Sequence, residues 1–181
     1  MRVVLLGGAP GVGKSTVAHR LLHIAARGTP LVQWVDVDAL WLHQPWRVDQ
    51  RTKEMVQSNL AAVMTSALHA GVDVLVVTWV FQSPAMHALV RRLAPSGASI
   101  ETIQLLVDEP AWRARFGSGR DRPPIDSFFA SRYVDAQSTP ADHLIDTTDL
   151  DPQQVAEALA ATLGLSTPAG APGATRDGVK R

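Results

Sequence analysis

The chain predicts an α/β fold of three layers, with five parallel strands covered by helices on both faces. Three observations carry this expectation. Short apolar runs of strand length alternate with segments of helical period along the 181 residues. The first and third of those runs are apolar almost throughout, as strands buried on both faces are. The first run ends in glycines and passes straight into a helical segment.

The elements read in order as follows. Residues 3–6 form the first strand, and residues 14–27 a helix with Val17, Ala18, Leu21, Leu22 and Ala25 on one face. Residues 31–36 are a second strand. Residues 39–43 are a short helix, and residues 49–70 a long one with Met55, Leu60, Val63, Met64 and Leu68 roughly in phase. The third strand, residues 72–79, is apolar enough to be central. Residues 84–93 are helical and residues 100–107 a fourth strand. Asp108 can cap the next helix, whose first turn tolerates Pro110 because that N–H has no helical partner anyway. A helix over 125–136, a fifth strand over 143–146 and a last helix over 152–163 follow. Asp151 caps the last helix and Gly164 ends it. This makes residues 1–165 one domain, with residues 166–181, rich in Pro, Ala, Gly and Thr, expected to be a disordered tail.

Composition removes several function classes. Lys plus Arg equals 17 and Asp plus Glu equals 17, so no basic surface for nucleic acid is expected. The chain has no cysteine, which excludes disulfides and thiolate metal sites. No apolar run is long enough to span a membrane, and the apolar N-terminus is too short for a signal peptide. A cytoplasmic location is expected, with monomer and homodimer both open.

The most specific signal is Gly8-Ala9-Pro10-Gly11-Val12-Gly13-Lys14-Ser15, which matches G-x-x-x-x-G-K-[ST] between a strand and a helix. Its glycines let successive backbone N–H groups curl around phosphate oxygens, and the helix N-terminus adds positive potential. Gly8, Gly11, Val12, Gly13, Lys14, Ser15 and Thr16 are therefore expected to bind a nucleoside triphosphate. Lys14 meets the outer phosphates, and the Ser15 hydroxyl ligates Mg²⁺.

Strand, loop and helix together resemble the P-loop NTPase superfamily, in its branch of small-molecule and nucleotide kinases. The resemblance covers residues 1 to about 164 and implies ATP and Mg²⁺ as cofactors and a sheet order 2-3-1-4-5. The pair Asp36 and Asp38 is similar to the D-x-D of shikimate-kinase-like enzymes, and the region also resembles chloramphenicol phosphotransferase. That likeness implies a metal-shell role for Asp36 and an acceptor-orienting role for Asp38. Physically, a hydroxyl attacking phosphorus gains from a carboxylate within hydrogen-bond reach. Residues two apart on a strand share a side, so both carboxylates can face one cleft. The alternative is that Asp38 only caps the helix over 39–43. The third strand ends Thr78-Trp79 with no acid, which turns the metal shell toward Ser15, Asp36 and the Thr78 hydroxyl.

Residues 111–124 carry Arg113, Arg115, Arg120 and Arg122 among glycines and prolines. In P-loop kinases such a segment is a lid whose guanidinium groups neutralise transferred charge. Arg120 and Arg122 are the expected catalytic pair, with Arg132 able to join them; a solvated basic loop is the alternative. Asp146 and Thr147 either hold the nucleotide base or cap the final helix. Trp41, His43, Trp46, Arg47, Trp79 and Phe81 cluster at the carboxyl ends of two strands and suggest an aromatic acceptor pocket, or simply core. Arg47 and Arg51 suit an anionic acceptor. His19, His23, His69 and His87 read as helix-surface residues. The expected activity is transfer of the ATP γ-phosphate to a small-molecule hydroxyl. A nucleoside or nucleotide kinase is one alternative, and a nucleotide-dependent switch or partner-regulated ATPase another.

Overall fold

The computed structural model describes residues 1–118 and 122–165. The expected disordered tail and Arg120 lie outside the described residues. The strands are β1 (Arg2–Gly8), β2 (Val32–Asp36), β3 (Val74–Thr78), β4 (Ser99–Leu106) and β5 (His143–Asp146). The helices are α1 (Lys14–Ala25), α2 (Val37–Trp41), α3 (Gln50–His69), α4 (Pro84–Leu93), α5 (Glu109–Gly117), α6 (Ser127–Ser138) and α7 (Pro152–Thr162). All ladders are parallel, in the order β2-β3-β1-β4-β5. The expected fold class and strand order are what the chain adopts.

Central position explains why β1 is apolar from Val3 onward. Its side chains alternate between two cores. Val4 and Leu6 pack with Val17 and Leu21 of α1 and with Val155 and Leu159 of α7. Val3 and Leu5 pack with Leu60 and Met64 of α3 and with Val90 of α4. Each such leucine, fully removed from water, contributes roughly 1.5–3 kcal/mol. The sheet thus lies between two helical layers, and all five strands deliver their carboxyl ends to one edge. That edge is where a doubly covered parallel sheet offers a crevice for ligands.

Several helices start where acids cap them. Asp49 accepts from Thr52 N, Asp108 from Ala111 N, and Asp126 from Phe129 N. Asp151 accepts from Gln153 N and Gln154 N.

The structure corrects some expected details. The short helix begins at Val37 rather than residue 39, because Asp36 caps it with its side chain. The strand therefore ends at Asp36, and Asp38 lies in a helical turn. Met55 is exposed, and the buried stripe of α3 is Val56, Leu60, Met64 and Ala67. His87 is buried at 7 % exposure against Phe81 rather than on the surface. Among the described residues no helix is long and apolar enough to cross a membrane.

Candidate active site

The loop between β1 and α1 has the shape of an anion cradle. Gly11 and Gly13 take φ of 85° and 109°, a left-handed conformation that side chains rarely tolerate. At Gly11 space is also closed: a Cβ would stand 2.5 Å from Arg122 Nη1 and 3.0 Å from Phe116 Cδ2. Gly13 is the N-cap of α1 and provides no side-chain cap, and the first turn of α1 holds no acid. The N–H groups and positive end of α1 are thus left to an external anion. From behind, the buried Trp112 of α5 donates its indole N–H to Pro10 O at 2.7 Å, holding the loop to the next helix.

Lys14 curls back into this cradle. Its Nζ donates to Gly8 O at 2.9 Å and to Ala9 O at 3.1 Å. An ammonium has three protons, so one stays available. Desolvation at the closed end of the cleft pulls its pKa from 10.5 down to about 8, against the charges of Asp38 and Asp36, with Arg122 adding to the fall. A lysine held this way carries a charge that its surroundings only just sustain.

Ser15, next on α1, donates its hydroxyl to Asp36 Oδ2 at 2.8 Å. The other carboxylate oxygen of Asp36 accepts from Asp38 N at 3.1 Å. Asp36 therefore joins β2, α2 and the phosphate loop at one point. Asp38 lines the same cleft of about 230 Å³, with Lys14, Ser15, Asp36, Trp79 and Arg122. Its residue is exposed, yet its carboxyl pKa is raised, first by desolvation and then by the Asp36 charge. Lys14, the Trp79 indole and Arg132 oppose that rise. Asp38 is thus not the helix cap; Asp36 fills that role, leaving the Asp38 carboxylate toward the cleft. The Thr78 hydroxyl is not available to a metal shell, since it accepts from Trp34 Nε1 at 2.9 Å and lies toward Val35 O.

The arginines separate into different duties. Arg122 reaches the cleft and lies 4.9 Å over the Phe116 ring. Arg113 pairs with Glu109 on the exposed side of α5. Arg115 donates to Thr147 Oγ1 at 2.8 Å, Thr147 O at 2.6 Å and Thr148 O at 2.9 Å, tying α5 to the loop after β5. Arg132 donates to Gln82 Oε1 and stacks over Phe128 at 4.3 Å.

A second cleft, of about 350 Å³, opens on the other side of the loop. Gly11, Gly13 and Thr16 border both clefts. The second is walled by Arg115, Ser118, Leu150, Pro152 and Val155. Thr147 does not line it: its side chain is buried, donating to Leu106 O and accepting from Arg115. Asp146 turns its carboxylate to Thr148 N and Oγ1, which hold its pKa low, and Asp151 rather than Asp146 caps α7. Neither Asp146 nor Thr147 lines this cleft, although the loop that follows β5 borders it through Leu150. Leu150 and Pro152 were missed because a leucine and a helix-starting proline look ordinary in sequence.

The tryptophans do assemble. Trp41 stands 5.9 Å from Trp46 and 6.3 Å from Trp79, and Trp79 stands 6.0 Å from Phe81. His43 stacks on Trp46 at 5.2 Å. Arg47 and Arg51 are exposed and do not line the cleft, and the Arg47 charge bears on Asp49.

Comparison with known proteins agrees with this geometry. No curated protein matches the chain in sequence. Among solved structures, a tunicamycin resistance protein of Deinococcus radiodurans superimposes with a TM-score of 0.67 at 22% identity, covering 92% of this chain and 99% of that one. A sugar kinase from a Janibacter species gives 0.66 at 18% identity, with the same coverages of 92% and 99%. The APS kinase of Mycobacterium tuberculosis, solved with AMPPNP and APS, gives 0.62 at 18% identity over 90% of this chain and 97% of that one. A model of the AAA domain family AAA_33 matches residues 3–130. The chain therefore belongs to the AAA_33 family of AAA domains, and its sheet and phosphate loop have the architecture of P-loop kinases.

Proposed function

We propose that this protein, through a domain spanning residues 1–165, transfers the γ-phosphate of ATP to the hydroxyl of a small molecule. The observation that carries the reading is convergence. An ammonium, a serine hydroxyl, two carboxylates and a guanidinium meet in one cleft around an unfilled helix N-terminus. A triphosphate binder alone would not need the second carboxylate.

In this reading the backbone of Gly11 to Thr16 and Lys14 bind the triphosphate. The cleft beyond Arg115 and Leu150 receives the base. Ser15 and Asp36 suit Mg²⁺, a hard cation that takes oxygen ligands. Among the described residues no group of three or more His, Cys, Asp or Glu can hold a metal alone. Ser15 and Asp36 would therefore hold the ion only together with the bound nucleotide. Bound there, Mg²⁺ would neutralise phosphate charge. Asp38 orients the acceptor hydroxyl and takes its proton, and its raised pKa suits it to act as a base. Arg122 approaches from the lid to balance charge on the transferred group. ATP in place of GTP and a cytoplasmic setting belong to the same proposal.

The test is ADP release from ATP and Mg²⁺ across a library of hydroxyl-bearing acceptors. Release that depends on an acceptor and disappears with Lys14→Ala supports the reading. Steady ATP hydrolysis indifferent to every acceptor, but stimulated by a protein partner, would replace it with a regulated ATPase.

A further inference from the structure

The acceptor end of the cleft has a chemical character distinct from its phosphate end. An aromatic row leads outward from it, and the outer member, Trp46, stands beyond the cleft lining, 55 % exposed and stacked on His43 with planes 24° apart. From Trp46 the rings continue through Trp41 to Trp79, which lines the cleft beside Asp38. Leu42 and Val48, on the same connection, are 77 % and 55 % exposed. Leaving this much apolar surface in water is unfavourable unless something covers it. Indole faces favour flat, weakly polar ring faces.

Charge points the same way. Asp36 and Asp38 place two carboxylates at this end. An anionic acceptor would be repelled by both. Among the described residues Arg132 bonds the neutral Gln82, stacks on Phe128 and sets its charge against Asp38, while Arg122 lies over Phe116 on the phosphate side. Arg47 stands outside the cleft. Among the described residues each cation at the cleft is thus already set against Asp38 or on the phosphate side.

We propose that the acceptor is a neutral alcohol carrying a ring, its face against the Trp46–Trp41–Trp79 wall and its hydroxyl at Asp38. This rests on the phosphotransferase reading above. In the transfer, the alcohol oxygen bonds to the γ-phosphorus and the bond from that phosphorus to the β–γ bridging oxygen breaks. The electron pair leaves with ADP, and the alcohol proton passes to the Asp38 carboxylate. Sugar rings, nucleosides and aryl alcohols share the required chemistry.

The experiment is calorimetric titration of the full chain holding Mg²⁺ and a non-hydrolysable ATP analogue. The probes are a methyl glycoside, uridine and an aryl diol, each beside a charged counterpart: a sugar phosphate, uridine monophosphate and an aryl carboxylate. At least one neutral member binds, about tenfold or more tighter than its counterpart. Trp46 is exposed, so Trp46→Leu should fold normally. It weakens that binding about three- to tenfold, the range of one aromatic contact, while Trp46→Phe restores most of it. Affinity for the ATP analogue stays unchanged in both variants. Tighter binding of the charged members overturns the proposal, as does no binding by any neutral member or wild-type affinity in Trp46→Leu. The two readings fail separately. A neutral ring that binds through Trp46 yet yields no ADP from ATP removes the transfer reading and leaves the ring site. ADP release with charged acceptors alone does the reverse.

Discussion

Raising the pH through 8 should release ATP, because the charge that meets the phosphates titrates there. An exposed lysine keeps its proton to about 10.5, whereas desolvation brings Lys14 to about 8. Phosphate binds the charged form. Below pH 8 the free protein already carries that charge and binding is at full strength. Above 8 the free protein loses the proton, and binding must recover it. At pH 9 about one Lys14 in eleven stays charged, so affinity falls about tenfold from its value at pH 7. Each further pH unit costs another factor of about ten, until the pKa of the bound state is reached. With an unshifted lysine the loss at pH 9 would be only about 3%, by the same relation. Calorimetric titration with a non-hydrolysable ATP analogue and Mg²⁺, from pH 7 to 9.5 at fixed ionic strength, reads the effect. Paired buffers of different ionisation enthalpy should report uptake approaching one proton per nucleotide near pH 9. Lys14→Arg, which does not titrate in this range, should flatten whatever affinity it retains. An affinity constant within about twofold across the range, with no proton uptake, would refute the argument. The stability sign is opposite. Between pH 8 and 10.5 the unfolded chain holds a proton that the folded one lacks, so stability rises with pH across that window.

Three further outcomes follow from the site. Asp38→Asn should lower acceptor-dependent kcat by about 10²–10⁴-fold while leaving ATP affinity near normal. The wild-type kcat should fall with acid at a pH above the usual carboxylate range, because the Asp38 pKa is raised. Gly11→Val, which needs a left-handed φ of 85° and the space of Arg122 and Phe116, should lose most ATP affinity in calorimetry. Arg115→Ala removes a guanidinium that bonds Thr147 and Thr148, so thermal melts should show a loss of about 1–3 kcal/mol. The nucleotide KM should rise more than kcat falls, since that loop borders the second cleft.

Much of this molecule was legible before any coordinates. Local rules suffice for a parallel strand run such as Val3-Val4-Leu5-Leu6, for caps such as Asp108 and Asp151, and for a glycine loop closed by Lys14 and Ser15. Each depends on residues a few positions apart, and the phosphate loop binds largely through backbone that its own glycines shape. Asp36 and Asp38 were read as a pair for the same reason. Resemblance implied their separate duties, but not which one caps α2, because that depends on where the strand stops. Thr78 looked like a metal neighbour until Trp34 claimed its hydroxyl from the adjacent strand. Arg113, Arg115 and Arg122 are equivalent as letters. Arg113 meets Glu109 one turn back on its own helix, whereas only the fold gives Arg115 to Thr147 and Arg122 to the cleft. His87 passed for a surface residue because its helix position says nothing of Phe81 beneath it. The sequence by itself determined the α/β class, the phosphate loop and its lysine, since these follow from period, turn chemistry and spacing. The tertiary structure alone decided how the arginines divide, which residues wall the second cleft and how the tryptophans gather. Those facts rest on contacts between residues far apart in the chain, which no local pattern encodes.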